Sequence, residues 1–135
     1  MSVSKKLTIA GTVVCLILGA ALVYKLLPQT TKISTATAVL VYNRGETNIA
    51  TVLTNEEALL VHHIFDGKRL TDGDGSGNFT SDVSIRFGNQ IFCISLDSYP
   101  LIKIHNNNKT FTISDKDRET IEDLFERYGA PLPIS

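Results

Sequence analysis

The feature that most constrains this chain is an apolar run near its N-terminus. From Leu7 to Leu27 there is one charged side chain, Lys25, and the 18 residues ahead of it carry none. A helix rises about 1.5 Å per residue, so this run is roughly 30 Å long, the thickness of the hydrocarbon core of a bilayer. It predicts a transmembrane helix or signal anchor over 7–27, preceded by a short N-terminal tail over 1–6.

Three alternatives to an anchor remain for this run. A cleavable signal peptide would use Gly19 and Ala21 as the small residues before its cut and would release a secreted form, although the apolar run continues past that point. A lipoprotein signal would use Cys15, but Val14 before it is large for such a motif. A buried core helix would show a polar face, and none occurs in the run. The anchor is favoured.

The orientation in the membrane follows from the short N-terminal tail. Lys5 and Lys6 precede the run, whereas Lys25 and Lys32 follow it, so the charge bias between the two sides is small. A signal anchor with a short tail keeps that tail inside. We therefore expect a single-pass cell-membrane protein whose C-terminal domain lies outside the cytoplasm.

The remainder of the chain has the composition of one small acidic domain. Residues 28–135 hold ten of the 13 basic residues and all 14 acidic residues, a net charge of −4. This charge excludes a strongly basic nucleic-acid-binding protein. With two cysteines in 135 residues, one of them inside the apolar run, the chain is not a disulfide scaffold.

The sequence of the first half of this domain predicts two strands and a helix. Residues 28–32 predict a linker, after which the domain covers 33–135. Strands are expected over Ile33–Tyr42 and Ile49–Leu53. Thr54 and Glu57 then form a capping box, which predicts a helix start. Its apolar stripe and its glycine C-cap are Leu60, Val61, Ile64, Phe65 and Gly67.

The sequence of the second half predicts a long loop, four strands and a second helix. The loop covers Asp66–Asp82, and Ser114 is the expected N-cap of the second helix. The predicted strands are Val83–Phe87, Ile91–Leu96, Leu101–His105 and Lys109–Ile113, and the stripe of the helix is Ile121, Leu124, Phe125 and Tyr128. The order β-β-α-β-β-β-β-α predicts an α+β fold, an antiparallel sheet with two helices packed on one face.

The long loop contains the pattern of a calcium-binding loop. Alternating oxygen side chains followed by a glycine at the sharp turn are what an EF-hand loop requires. Here the final position, normally a bidentate Glu, is Val83, and composition alone also explains a Gly/Asp-rich surface loop. The candidate ligands of this calcium hypothesis are Asp72, Asp74, Ser76, Asn78 and Thr80.

No catalytic motif occurs in the sequence. His62 and His63 are adjacent on the predicted helix, about 100° apart, so they cannot easily bind one metal ion together. Cys93 lies in a predicted buried strand, where a cysteine acts as a small apolar residue. GxSxG, HExxH, P-loop and CxxC motifs do not occur. We expect neither an enzyme nor a bound cofactor, with calcium as the alternative.

Residues 50–133 contain a series of segments that together resemble a known class of protein. They are Leu53–Glu57, Ile64–Lys68, Val83–Phe87, Ile91–Ser98, Ser114–Arg118 and Arg127–Pro131. In this series the chain resembles small bacterial membrane-anchored or secreted proteins with an uncharacterised α+β ectodomain. Such proteins often carry cysteines after the Asp-Ser turn and after the final Pro, where this sequence has Tyr99 and Ile134. The resemblance implies no activity.

An anchored domain without catalytic motifs predicts a binding or interaction module. The expected partners are the membrane and an envelope protein, with no nucleic acid and no small-molecule substrate. The sheet face that the helices leave uncovered is the expected contact surface. A calcium-binding regulatory domain using the 72–83 loop is the alternative function.

Overall fold

The structure, a computed structural model, describes residues 29–73, 77–97 and 100–133. The apolar segment predicted to be an anchor over 7–27 lies outside these residues. Within the described part of the chain, no helix is long and apolar enough to cross a membrane.

The described residues form seven strands and two helices. The helices are α1 (Asn55–Phe65) and α2 (Asp115–Arg127). The strands are β1 (Val39–Arg44), β2 (Thr47–Val52), β3 (Thr71–Asp72), β4 (Val83–Phe87), β5 (Gln90–Ile94), β6 (Leu101–Ile104) and β7 (Lys109–Thr112). The predicted order is correct except for β3, which occupies part of the expected loop. Two residues are too short for a period-2 pattern to reveal a strand.

All seven strands belong to one antiparallel sheet. The strand order is β2-β1-β4-β5-β6-β7-β3, so β2 and β3 are the edges. The chain leaves β2, forms α1, contributes β3 at the far edge and returns as β4 beside β1. The predicted α+β class with an antiparallel sheet is confirmed.

Both helices pack on the same face of the sheet. The ring of Phe65 on α1 lies 5.2 Å from that of Phe92 and 5.7 Å from that of Phe111, measured between centroids. From α2, Phe125 contacts Tyr42 on β1, with centroids 6.4 Å apart. Tyr42 and Phe111 are in register across the intervening strands, so both helices cover the same set of side chains. The core lies between this face and the helices.

The capping box of α1 is confirmed, whereas its predicted apolar stripe needs one correction. Thr54 Oγ1 accepts a hydrogen bond from the Glu57 amide, and Glu57 Oε1 accepts one from the Thr54 amide. Leu60 was expected in the core but is 45% exposed, because α1 turns Ala58 inward instead. Periodicity alone cannot distinguish two apolar residues that flank the same stripe.

Glu57 also joins the two helices. Its carboxylate is 7% exposed and accepts hydrogen bonds from Arg127 Nη1, at 2.9 Å, and from the Tyr128 hydroxyl. Burial by itself would raise the pKa of Glu57, but the hydrogen bonds from Tyr128, Thr54 and Arg127 outweigh it and lower that pKa below 4.5.

A second buried charge, that of Arg118, connects α2 to the C-terminal segment of the domain. Arg118 on α2 is 1% exposed, and it donates to the Ser95 carbonyl at 2.9 Å and to Glu122 Oε1 at 2.9 Å. It also donates to the Pro133 carbonyl at 3.3 Å. The guanidinium therefore ties α2 to the end of β5 and to the C-terminal segment.

The segment before β1 is hydrogen-bonded to the C-terminal end of α1 and to the turn after it. Thr31 is buried; its hydroxyl donates to the Phe65 carbonyl and accepts from the Lys68 amide at 2.8 Å. The Ile33 amide donates to Asp66 Oδ1 at 2.9 Å. These residues bond to the end of α1 and to the turn after it, and the β-bridge between Thr30 and Arg69 lies outside the seven strands. The strand β1 therefore begins at Val39 rather than at the predicted Ile33.

Candidate functional site: the open face of the sheet

The sheet face opposite the two helices, here called the open face, displays one residue from each strand in register. The row runs Ala50, Val41, Ser84, Cys93, Lys103, Thr110 and Thr71. Four members of this row are nearly inaccessible although no described helix covers them: Val41 is 6% exposed, Ser84 0%, Cys93 2% and Thr110 7%. Another part of the chain must therefore shield the middle of this face.

The segment 77–82 provides part of that cover. The Leu96 amide donates to the Asn78 carbonyl at 2.9 Å. The Ser81 carbonyl accepts from Arg86 Nη2 at 3.0 Å and from Ser84 Oγ at 2.8 Å. These bonds hold the loop against β4 and the end of β5.

A cavity of about 320 Å³ lies between this loop and the sheet. Lys103 and His105 reach it from β6 and the residue following it, and Cys93 reaches it from β5. The loop contributes Phe79, Thr80 and Ser81. The lining therefore combines two nitrogen side chains, two hydroxyl groups, a thiol and one aromatic ring.

The open face is electrostatically unlike the rest of this acidic domain. Arg86 and Lys103 both lie close enough to Cys93 to act on its thiol. The Arg86 side chain is bound to Ser84 and Ser81, whereas the Lys103 side chain makes no ion pair or hydrogen bond within the described residues. A lysine of this kind can pair with an incoming anionic group without first losing a partner.

Cys93 is not an activated nucleophile. Burial raises the pKa of its thiol above the ordinary value, and the positive charges of Lys103 and Arg86 offset this only in part. The thiolate is the reactive form of cysteine, so a raised pKa disfavours nucleophilic chemistry at neutral pH. The side chain acts as a small apolar part of the cavity wall.

The proposed calcium loop is flanked by strands. An EF-hand loop connects two helices, but here β3 precedes the segment and β4 follows it. Asp72 forms an ion pair with Lys109, and Thr80 Oγ1 lies 3.5 Å from Asp82 Oδ2. Asp74 and Ser76 lie outside the described residues, and Asn78 is exposed. Calcium binding by this segment stays a prediction.

The two adjacent histidines of α1 do not share a site. The ring of His62 lies edge-on to Phe87 with centroids 6.2 Å apart, and His63 is exposed. Within the ranges that the structure describes, no group of three His, Cys, Asp or Glu side chains could hold a metal ion.

Sequence reasoning missed Lys103 and His105 as site residues. The signal that could have found them is the alternation in Leu101–His105, where Ile102 and Ile104 face the core. A period of 2 places Lys103 and His105 together on the opposite face. Their proximity to Cys93 depends on strand pairing, which that alternation does not specify.

No protein-family model, curated protein or solved structure matches this chain. The resemblance to small bacterial membrane-anchored or secreted proteins therefore stays an expectation from the sequence.

Proposed function

We propose that this chain is a single-pass membrane protein whose extracytoplasmic domain is a binding module for an envelope protein. The anchor is the apolar segment over 7–27, and the contact surface is the open face. The module holds an acidic side chain or chain terminus of its partner in the cavity beside Lys103.

The observation that carries this proposal is the unpaired Lys103 in a cavity on an otherwise acidic domain. Residues 28–135 carry a net charge of −4, yet Lys103, His105 and Arg86 lie on the same face. Complementary charge steers partners and fixes their orientation. Ser81 adds a hydroxyl group that can donate a hydrogen bond to the same carboxylate.

The raised pKa of the buried Cys93 thiol supports binding rather than covalent catalysis. An acidic partner group would meet a neutral thiol beside the ammonium of Lys103. Such a site attracts a carboxylate and leaves it chemically unchanged.

Photo-crosslinking in membranes tests the proposal. A photoreactive amino acid replaces Thr80, at the rim of the cavity, in the full-length chain. We expect a crosslinked envelope protein, and we expect Lys103→Met to reduce its yield about tenfold, the effect of losing about 1.4 kcal/mol of binding. Raising the salt concentration should lower the yield further.

Lys116→Met is the matched control for this experiment. Lys116 is exposed on α2, which lies on the other face of the sheet, and the substitution removes the same charge. Equal yields from the two variants, or no crosslinked protein at all, would reject the proposal.

A further inference from the structure

The edge strand β2 leaves a row of backbone groups without partners. On one side β2 pairs with β1, and no described strand pairs with its other side. Its residues Asn48, Ala50 and Val52 are all exposed. An unpaired strand edge is a template for another strand.

One hydrogen bond identifies which residues of β2 point their backbone groups outward. The Leu53 amide donates to the Ala38 carbonyl, so 38 and 53 form a hydrogen-bonded pair next to the Val39–Val52 pair. Hydrogen-bonded and non-bonded pairs alternate along an antiparallel ladder. The N–H and C=O groups of 47, 49 and 51 therefore point to β1, and those of Asn48, Ala50 and Val52 point away from the sheet.

This edge lacks the features that usually protect a free strand. Natural edge strands carry a lysine, a proline or a bulge, or they are very short. The six residues Thr47–Val52 include no charge and no proline, and they pair with β1 without interruption. Val52 is 63% exposed beside Val39 on β1.

We propose that β2 pairs with β2 of a second copy of this chain, antiparallel and centred on Ala50. Only residues with outward backbone groups can form hydrogen-bonded pairs, so Ala50 faces Ala50 of the second copy and Asn48 faces its Val52. Each such pair exchanges two bonds, which gives about six bonds in all. The two sheets become one, with all four helices on the same side.

The strand is complementary to itself in this register. The smallest side chain, Ala50, lies on the two-fold axis, where identical residues meet. On the helix side, Ile49 faces Thr51 of the second copy, a pair of β-branched residues suited to a sheet. The domain is acidic overall, but β2 is uncharged, so two copies meet without like charges opposite each other.

This pairing is separate from the proposed binding of an envelope protein. β2 lies three strands from β5, about 14 Å across the sheet from the Cys93 cavity. Substitutions at the edge therefore leave the cavity lining in place, and the two proposals can fail independently.

Cysteine crosslinking of the full-length chain tests the register. A chain with Cys15→Ser retains Cys93, which is buried, and then receives Ala50→Cys. In a hydrogen-bonded antiparallel pair the Cα atoms are about 5.5 Å apart, a distance that a disulfide spans. We expect diamide to convert most of this variant into a covalent dimer.

Val52→Cys in the same background is the control for register. Two copies of residue 52 would be about 14 Å apart, too far for a disulfide. We expect this variant alone to give at least tenfold less dimer, and a mixture with Asn48→Cys to restore crosslinking. Equal crosslinking of Ala50→Cys and Val52→Cys, or none with Ala50→Cys, would overturn the proposed pairing.

The mass of the chain without added cysteines gives a second readout. In detergent the native chain should be a dimer, and Ala50→Lys should shift it to a monomer by placing two ammonium groups directly opposite each other on the two-fold axis. A native chain that is monomeric at all concentrations, or an Ala50→Lys variant that stays dimeric, would also overturn the proposal.

Discussion

At the residue scale, the least expected features are two buried charges. Glu57 was expected only as half of a capping box, yet it also accepts hydrogen bonds from Arg127 and Tyr128, which lie 70 and 71 residues further along the chain. Arg118 lies on α2 outside the predicted apolar stripe, yet it is 1% exposed. Local sequence specifies a cap, whereas these partners depend on how α1 and α2 pack. The spacing of residues along the sequence does not predict such contacts.

Glu57 should make stability depend on pH in the acidic range. The pKa of Glu57 is lowered in the folded chain, so its charge stabilises the fold at pH values above the unfolded-state pKa near 4.5. This contribution disappears as the pH falls through the folded-state pKa. We expect Glu57→Gln to lower the free energy of unfolding by about 1–2 kcal/mol at pH 7. Urea unfolding at pH 7 and at pH 3 should show the difference closing. An equal difference at both pH values would contradict the assignment.

Arg118 should matter more than any exposed cation. Arg118→Met would keep much of the volume but remove the donors to the Ser95 and Pro133 carbonyls and to Glu122. Breaking a buried ion pair by removing one partner costs about 3 kcal/mol. Denaturant unfolding measures this loss, and Lys116→Met, at an exposed site on the same helix, should change stability by less than about 0.5 kcal/mol.

At the element scale, helices were easier to predict than strand boundaries. Thr54 and Ser114 act as the expected N-caps because a cap requires only a few neighbouring residues. The start of β1 was predicted six residues too early, because Ile33–Ala38 has strand-like composition but lies beside α1. β-propensity describes a side chain that suits a half-buried surface, and it does not identify the neighbouring element.

The segment before β1 should be a stabilising element in its own right. Thr31→Val keeps the shape of the side chain but leaves the Phe65 carbonyl and the Lys68 amide without their hydroxyl partner. We expect a loss of about 2 kcal/mol and faster hydrogen exchange at the Lys68 amide. Thr30→Val, one residue earlier at an exposed site, should leave both measurements unchanged.

At the scale of the whole molecule, the fold class followed from patterning, and the site did not. Alternation in Val83–Phe87 and the two helical stripes suffice for an antiparallel sheet with helices on one face. The cavity combines side chains from two strands and a loop, and its position depends on the register of β5 against β6. The proposed calcium ligands were found because they are contiguous in the sequence, whereas the residues around Lys103 are not.

The anchor is a prediction about the whole chain that fractionation can check. Ile17→Lys places a charge at the centre of the apolar run, where translocon-inserted helices lose about 2.5–3.5 kcal/mol. We expect the native chain to stay in the membrane pellet after alkaline carbonate extraction and the variant to shift towards the supernatant. The intact mass of the native chain should include residues 1–28. A mass beginning after Ala21 would instead establish the secreted form.

In the proposed anchored chain, the hydrogen bonds between Thr31 and the end of α1 would limit how far the domain can move from the membrane. If the helix in the bilayer ends at Leu27, three residues separate it from the first buried side chain, and three extended residues span about 10 Å. A connection this short would hold the domain at a nearly constant distance from the membrane. The domain would stay within the layer of solvent next to the lipid headgroups, and any partner would have to approach it there.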